Sequence, residues 1–107
     1  MRWTVETHAA ADEEILALAP KLQARLLRLM EMVENVGLDQ IHEPHVKHLE
    51  GKLWELRAKA PEGIARGLYV ALTGRRVVVL HVFAKKTQKT PKAALELARE
   101  RMKEVTP

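Results

Sequence analysis

The sequence predicts an α+β domain in which helices pack against a small antiparallel sheet. Residues 20–37 carry apolar side chains at helical spacing, residues 52–84 contain three strand-like segments joined by glycine-containing turns, and a second helical pattern follows Pro91. The chain has 107 residues, which is enough for one hydrophobic core. We therefore expect a single domain that comprises residues 1–107.

The N-terminal half is expected to form a short strand and then two helices. Residues 2–7 alternate and are rich in β-forming side chains, which predicts the strand. Residues 12–18 predict a short helix that ends before Pro20, and Pro20 suits the first turn of the next helix. Gly37 ends that helix. Its apolar side chains recur every three or four positions: Leu22, Leu26, Leu29, Val33 and Val36.

The C-terminal half is expected to form three antiparallel strands and a last helix. Residues 38–50 are read as a loop, and residues 52–59, 64–73 and 76–84 as strands. Thr90 and Pro91 predict an N-cap and the first position of the last helix. The predicted element order is therefore β-α-α-β-β-β-α, with a short N-terminal strand, a helical hairpin, a three-stranded antiparallel sheet and a C-terminal helix.

The two halves of the chain differ in charge. Residues 1–46 hold four Lys or Arg against eight Asp or Glu, a net charge of −4. Residues 47–107 hold fourteen against six, a net charge of +8. A basic half joined to an acidic half is typical of contact with nucleic acid, since neutralised phosphates supply most of the non-specific affinity. A solvated lysine-rich surface is the alternative.

Composition excludes several classes of protein. The chain has no cysteine, which excludes a disulfide framework and a cysteine nucleophile and favours a cytoplasmic protein. No apolar run approaches the roughly 20 residues of a membrane span, and no apolar signal core follows the N-terminus. We therefore expect no membrane association.

Arg57 and Arg66 are the strongest candidates for a functional site, because cationic side chains on neighbouring strands can grip one phosphate. The alternative is that each arginine pairs with a carboxylate such as Glu55 or Glu62 and serves stability. Lys85, Lys86 and Lys89 follow the last strand and precede a helix N-terminus, where an anion is favoured. The other cations expected to contact nucleic acid are Lys47, Lys52, Arg75, Arg76 and Lys92.

Other side chains could carry chemistry, but each has a structural alternative. His81 lies among the apolar residues of the third predicted strand and is either a core histidine or an acid or base beside the arginines. Tyr69 could transfer a proton or stack on a base, and Trp54 is expected to pack in the core. His42, His45 and His48 suggest zinc, but Pro44 prevents helical alignment and a fourth ligand is lacking, so we expect no metal or other cofactor.

Residues 46–91 resemble the RelE/HigB superfamily of toxin–antitoxin toxins, in particular its phage-related HigB-like branch. The matching segments are Lys47-x-Leu49-x-Gly51, Leu53-Trp54-Glu55-Leu56-Arg57, Arg66-x-x-Tyr69 and Val79-Leu80-His81-Val82-Phe83-Ala84-Lys85-Lys86-Thr87-x-Lys89-Thr90-Pro91. Their order and spacing carry the resemblance, which implies the same strand and helix order as the pattern of residues does.

The resemblance implies a ribosome-dependent endoribonuclease that cuts mRNA without a metal, by attack of the 2′-OH on the adjacent phosphate. It implies catalytic roles for Arg57, Arg66, Lys85 and Lys86, and a helix-turn-helix antitoxin as partner. Relatives of the RelE type commonly carry a tyrosine near the C-terminus, whereas no aromatic residue follows Phe83 here. A ParE-like inhibitor of gyrase and an RNA-binding domain without catalysis therefore remain alternatives.

Overall fold

The structure is a computed structural model that describes residues 2–87 and 89–106. The elements are, in chain order, β1 Thr4–Thr7, α1 Ala9–Leu16, α2 Pro20–Val36, a 3-10 helix Leu38–Gln40, β2 Val46–Glu50, β3 Leu53–Ala60, β4 Gly63–Leu72, β5 Arg76–Lys85 and α3 Lys92–Met102. The α+β class and the predicted element order are confirmed, with one added strand.

The sheet has five strands in the order β1-β5-β4-β3-β2. Strand β1 pairs with β5 in parallel, and the other three pairs are antiparallel. The prediction of a three-stranded antiparallel sheet is therefore wrong. Strand β2 lies at an edge in the segment that was read as a loop, and most of its side chains are exposed, so it lacks the apolar alternation of a half-buried strand.

Helices cover both faces of the sheet. Helices α1 and α2 pack on one face, here called the α2 face, against strand residues that include Leu56, Tyr69 and Val79. Helix α3 packs on the other, the α3 face, against strand residues that include Leu53 and Leu80. Because successive side chains of a strand point to opposite faces, residues of β3 or β4 separated by an even number of positions share a face.

Two predicted helix starts shift in the structure. Helix α1 begins at Ala9, after His8, whose ring accepts a hydrogen bond from the Ala10 N–H. Helix α3 begins at Lys92 with Pro91 as its N-cap residue, so the prediction of Thr90 as N-cap is wrong by one position. Helix α2 starts at Pro20 and ends before Gly37, as predicted. In the described part of the chain, no helix has the length and hydrophobicity needed to span a membrane.

Candidate nucleic-acid interface

Arg57 and Arg66 lie directly opposite each other on β3 and β4. Both side chains belong to the α3 face, since Arg57 is an even number of residues from Leu53 and Arg66 is two residues from Leu68. The prediction that the two arginines are neighbours across two strands is confirmed. On the same face, α3 packs its alanines Ala94 and Ala98 against the apolar strand residues.

A buried carboxylate joins the two arginines. Glu55 and Arg66 are both completely buried. The Arg57 Nε donates to Glu55 Oε1, and a guanidinium nitrogen of Arg66 lies 4.0 Å from the same oxygen. Thr90 donates its hydroxyl to Glu55 Oε2 at 2.7 Å, and its oxygen lies 3.5 Å from Arg66. The sequence-based alternative, in which Glu55 pairs with the arginines, is thus the arrangement observed.

The environment of Arg66 is unfavourable for its charge in isolation. Burial lowers the pKa of Arg66, the charge of Glu55 raises it, and the charge of Arg57 lowers it. An arginine side chain nevertheless stays protonated in proteins, so the Glu55 carboxylate is what makes the buried cation tolerable.

The two arginines differ in their access to a ligand. The Arg57 side chain is 11% exposed, whereas that of Arg66 has no exposed surface. A single phosphate gripped by both guanidiniums, as the sequence predicts, is therefore not compatible with the observed burial of Arg66. The arrangement leaves a small part of Arg57 accessible and buries Arg66 next to Glu55.

Further cations surround Arg57 on the α3 face. Lys47 on β2 pairs with Glu55, Lys59 follows Arg57 by two residues, and Lys85 at the end of β5 pairs with Ile64. All three lysines are exposed. We call Lys47, Arg57, Lys59 and Lys85 the cationic patch. Lys59 was not among the predicted residues, although its two-residue spacing from Arg57 places it on the same face.

A cleft of about 220 Å³ opens at the cationic patch. Arg57, Lys59 and Ile64 line it from the sheet, and Glu43, Pro44 and His45 line it from the segment before β2. The backbone N–H of Arg57 donates to the backbone carbonyl of His45 at 2.9 Å, and this bond holds the segment before β2 against β3. The cleft can admit a phosphate-sized group beside Arg57.

The other predicted nucleic-acid contacts are dispersed. Lys86 and Lys89 are exposed between β5 and α3, and Lys92 is the exposed first residue of α3. Lys52 and Arg75 lie in turns at the opposite end of the sheet. Arg76 is held by Glu6 of β1 at 2.6 and 2.9 Å. The structure therefore does not bring Lys52, Arg75 and Arg76 to the patch.

Tyr69 lies on the α2 face, across the sheet from Arg57. It is nearly completely buried, and burial raises the pKa of its hydroxyl. Tyr69 is three residues from Arg66, so its side chain points to the opposite face, and this placement does not fit the predicted role in proton transfer or base stacking. Trp54 pairs with Tyr69 across the strands, and it is 38% exposed instead of packed in the core.

His81 belongs to a separate polar cluster. Its Nδ1 lies 3.0 Å from Glu14 Oε1, and its ring stacks on Phe83 at 5.0 Å between centroids. Arg101 donates to Glu14 at 2.8 Å and to the Leu80 carbonyl at 3.0 Å. The Val82 N–H also donates to Glu14, at 2.9 Å. These contacts tie α1, β5 and α3 together and direct His81 toward Glu14.

Glu14 was not singled out from the sequence, because its partners lie 67 or more residues away along the chain. Burial raises the pKa of this carboxyl. The hydrogen bonds from Arg101, Val82 and His81 and the His81 charge lower the pKa, and together they outweigh burial, so the pKa lies below its ordinary value of 4.5. The cluster therefore favours an ionised Glu14.

The three histidines before and within β2 do not gather as a metal site. Within residues 2–87 and 89–106, no group of three or more His, Asp or Glu side chains is placed to hold a metal ion. His45 lines the cleft at Arg57, while His48 contacts Trp54 with a centroid distance of 4.8 Å.

Residues 13–103 match the family model described as phage derived protein Gp49-like (DUF891). The chain belongs to this family. The match spans the Glu14 and His81 cluster, the cationic patch and Thr90. No sequence among the curated proteins matches this Gp49-like chain.

Three solved structures with the same fold contain RelE proteins. A mutant of the Escherichia coli toxin RelE in the free state has a TM-score of 0.65 and 19% identity, over 99% of this chain and all of that chain. The RelBE2 toxin–antitoxin complex from Mycobacterium tuberculosis gives 0.60 and 19% identity over 79% of this chain and all of the other. The archaeal RelE–RelB complex from Pyrococcus horikoshii gives 0.61 and 19% identity, over 83% and all of the respective chains. The Gp49-like chain thus has a RelE-like fold, and the predicted resemblance is confirmed by this fold and by the phage-derived family.

Proposed function

We propose that the protein is the toxin of a type II toxin–antitoxin system and cleaves mRNA on the ribosome. The observation that carries this proposal is the cationic patch, in which the buried Glu55–Arg66–Thr90 network holds Arg57 so that the exposed 11% of its side chain borders the cleft. An RNA backbone is the polyanion that such a patch fits, because arginine and lysine contact phosphate oxygens without reading a base.

The reaction proposed is transfer of a phosphodiester to the neighbouring ribose. The 2′ oxygen forms a bond to phosphorus, the bond to the 5′ oxygen breaks, and the 2′-OH proton is lost while the 5′ oxygen gains one. The products are a 2′,3′-cyclic phosphate and a 5′-OH. Arg57 and Lys85 stabilise the charge that grows on the non-bridging oxygens, an effect typically worth about 100- to 1,000-fold in rate per contact.

Arg66 acts through its neighbours in this proposal. Because it is buried, it balances the Glu55 charge while Glu55 orients the Arg57 guanidinium toward the cleft. Arg66 is thus a positioning residue. Because Arg57 is already oriented before the substrate binds, no rearrangement of its guanidinium is needed at the moment of reaction. Lys86 lies next to Lys85 beyond the end of β5 and is the further candidate for contact with the reacting phosphate.

The partner proposed is a cognate antitoxin with a helix-turn-helix domain, in the cytoplasm. Two of the structures with the same fold are complexes of RelE proteins with antitoxins, which supports a protein partner for this chain. The single domain proposed, residues 1–107, contains the whole cationic patch and the whole sheet.

The experiment is addition of the pure, folded protein to a translating extract that contains one defined mRNA. We expect cleavage within the translated frame and 3′ ends that bear a cyclic phosphate. An identical extract blocked before initiation should leave the mRNA intact. Intact mRNA in the actively translating extract contradicts the proposal.

A ParE-like inhibitor of gyrase is the second candidate. It is favoured by the positions of Tyr69, on the opposite face, and of His81, which is directed to Glu14, since neither is turned toward Arg57 to move a proton. Inhibition of supercoiling by the same protein sample, with mRNA uncut, supports this candidate. RNA binding with neither activity supports an RNA-binding domain instead.

A further inference from the structure

A second concave site lies on the α2 face, across the sheet from the cationic patch. It is a pocket of about 650 Å³ between β2–β4 and the segment that follows α2. This volume lies within the usual range of roughly 300–1,000 Å³ for ligand sites. Its polar and aromatic lining residues are Trp3, Asp39, His42, Glu43, Trp54 and Tyr69.

The pocket gathers nearly all the aromatic side chains of a chain that has few. The sequence contains two tryptophans, one tyrosine and one phenylalanine, and both tryptophans and the tyrosine line this site. Tyr69 is buried at its floor, and Trp54 is 38% exposed at its edge. A partly exposed tryptophan at the edge of a concave site is typical of a surface that receives a partner.

The charge of the pocket determines which partner it suits. Asp39 and Glu43 are exposed acidic side chains of the lining, which contains no lysine or arginine among the described residues. A phosphate would therefore be repelled here. A cation would be attracted both by the carboxylates and by the indole rings, whose faces carry negative charge density.

Gly37 brings the acidic and aromatic walls together. A side-chain carbon at this position would lie 2.7 Å from Asp39 Oδ1 and 3.1 Å from Trp3 Nε1, so both groups lie close against the glycine backbone. The φ angle of 96° is one that glycine adopts without strain. The chain turn after α2 thus places a carboxylate beside an indole.

We propose that this pocket binds an arginine side chain presented by a basic segment of a protein partner. The planar guanidinium lies on an indole face and pairs with Asp39 or Glu43, and the remaining volume takes an apolar neighbour of that arginine. Glu43 lines both this pocket and the cleft at Arg57, but no residue of the cationic patch lines the pocket, so the proposal does not depend on cleavage of RNA.

The test uses tryptophan emission of the full chain, because both tryptophans line the pocket. The probe is the tripeptide Leu-Arg-Leu with blocked ends, and its comparison is the same peptide with neutral citrulline in place of arginine. We expect a saturable change in tryptophan emission with the arginine peptide. The citrulline peptide should bind about tenfold more weakly, since a cation over an indole face contributes to affinity on that scale.

Variants locate the site without disturbing the core. Asp39→Asn combined with Glu43→Gln should weaken binding of the arginine peptide about tenfold and remove most of its salt dependence. Glu62→Gln, an exposed carboxylate in the turn between β3 and β4, is the matched control and should leave binding unchanged. Equal binding of both peptides, no saturable binding, or stronger binding of uridine monophosphate than of the arginine peptide would overturn the proposal.

Discussion

Thr90 donates its hydroxyl to the buried carboxylate of Glu55 at 2.7 Å, across the α3 face of the sheet. A threonine before a proline and a helix is the usual pattern of an N-cap, but here the side chain stabilises a charge network. The segment before α3 is thereby attached to the strand that carries Arg57.

Thr90→Val should therefore lower stability through Glu55 and not through the helix. A hydrogen bond to a charged group is typically worth about 1.5–3 kcal/mol, so we expect a loss of that size in the free energy of unfolding. Urea denaturation measures it. The matched control is Thr87→Val, an exposed threonine of the same segment, and equal losses in the two variants would contradict a specific role for Thr90.

The burial of Arg66 changes what its removal should do. Arg66→Met leaves Glu55 buried with less compensation, and breaking a buried pair typically costs about 3–5 kcal/mol. Removing the Glu55 charge as well, by Glu55→Gln, should restore part of this loss. The double variant should therefore lose less free energy of unfolding than the two single variants lose in sum, by roughly 0.5–3 kcal/mol.

Urea denaturation of the four proteins in this cycle gives the coupling directly. Arg76→Ala is the control for loss of an arginine pair near the surface, because Arg76 pairs with Glu6 while both side chains are partly exposed. We expect it to lower the free energy of unfolding much less than Arg66→Met does, because surface ion pairs contribute little to stability. Purely additive losses for Arg66 and Glu55 would show that the buried ion pair does not contribute to stability.

The sequence was sufficient for the position of the arginine pair but not for its depth. The strand spacing placed Arg57 beside Arg66, and the two-residue spacing of Glu55 and Arg57 puts acid and base on one face. The burial of Arg66 depends on how α3 and the segment before it cross the sheet. That tertiary arrangement has no local pattern in residues 52–70.

The same reason explains the missed strand and the missed cluster. Strand β2 is an edge strand with mostly exposed side chains, so its pairing with β3 is visible only in the sheet. Glu14 looks like an ordinary surface residue of a short helix. Its contacts with His81 and Arg101 arise only when α1 and α3 meet at the edge of β5.

The Glu14 cluster predicts a specific loss of stability in acid. The pKa of Glu14 is lowered in the folded protein, so the folded state favours the ionised carboxylate and gains stability above the ordinary value of 4.5. This contribution is lost as the pH falls through the lower, folded-state pKa. The stability difference between the unmodified protein and Glu14→Gln should therefore shrink as the pH falls below 4.5.

Urea midpoints measured from neutral to acidic pH test this expectation. Glu31→Gln serves as the control, since Glu31 is an exposed residue of α2. The difference in urea midpoint between Glu31→Gln and the unmodified protein should stay nearly constant with pH. A Glu14→Gln difference that is equally independent of pH would show that the bonds from Arg101, Val82 and His81 do not favour the ionised form.

The cationic patch predicts different effects for its members on RNA cleavage. Arg57 lines the cleft and is oriented by Glu55, so Arg57→Ala should slow the chemical step about 100- to 1,000-fold while ribosome binding changes little. Lys47 is exposed on the edge strand and should contribute mainly to association. Lys47→Ala should therefore weaken binding and reduce its salt dependence by about one phosphate contact.

Single-turnover cleavage on translating ribosomes, with binding measured separately at several salt concentrations, distinguishes the two effects. Lys21→Ala is the matched control, because Lys21 is an exposed lysine near the start of α2, away from the α3 face. The Lys21→Ala variant should retain both the cleavage rate and the salt dependence of ribosome binding. If Arg57→Ala keeps the folded circular-dichroism spectrum at the assay temperature and cleaves as fast as the unmodified protein, then Arg57 does not stabilise the reacting phosphate and the catalytic role of the patch is wrong.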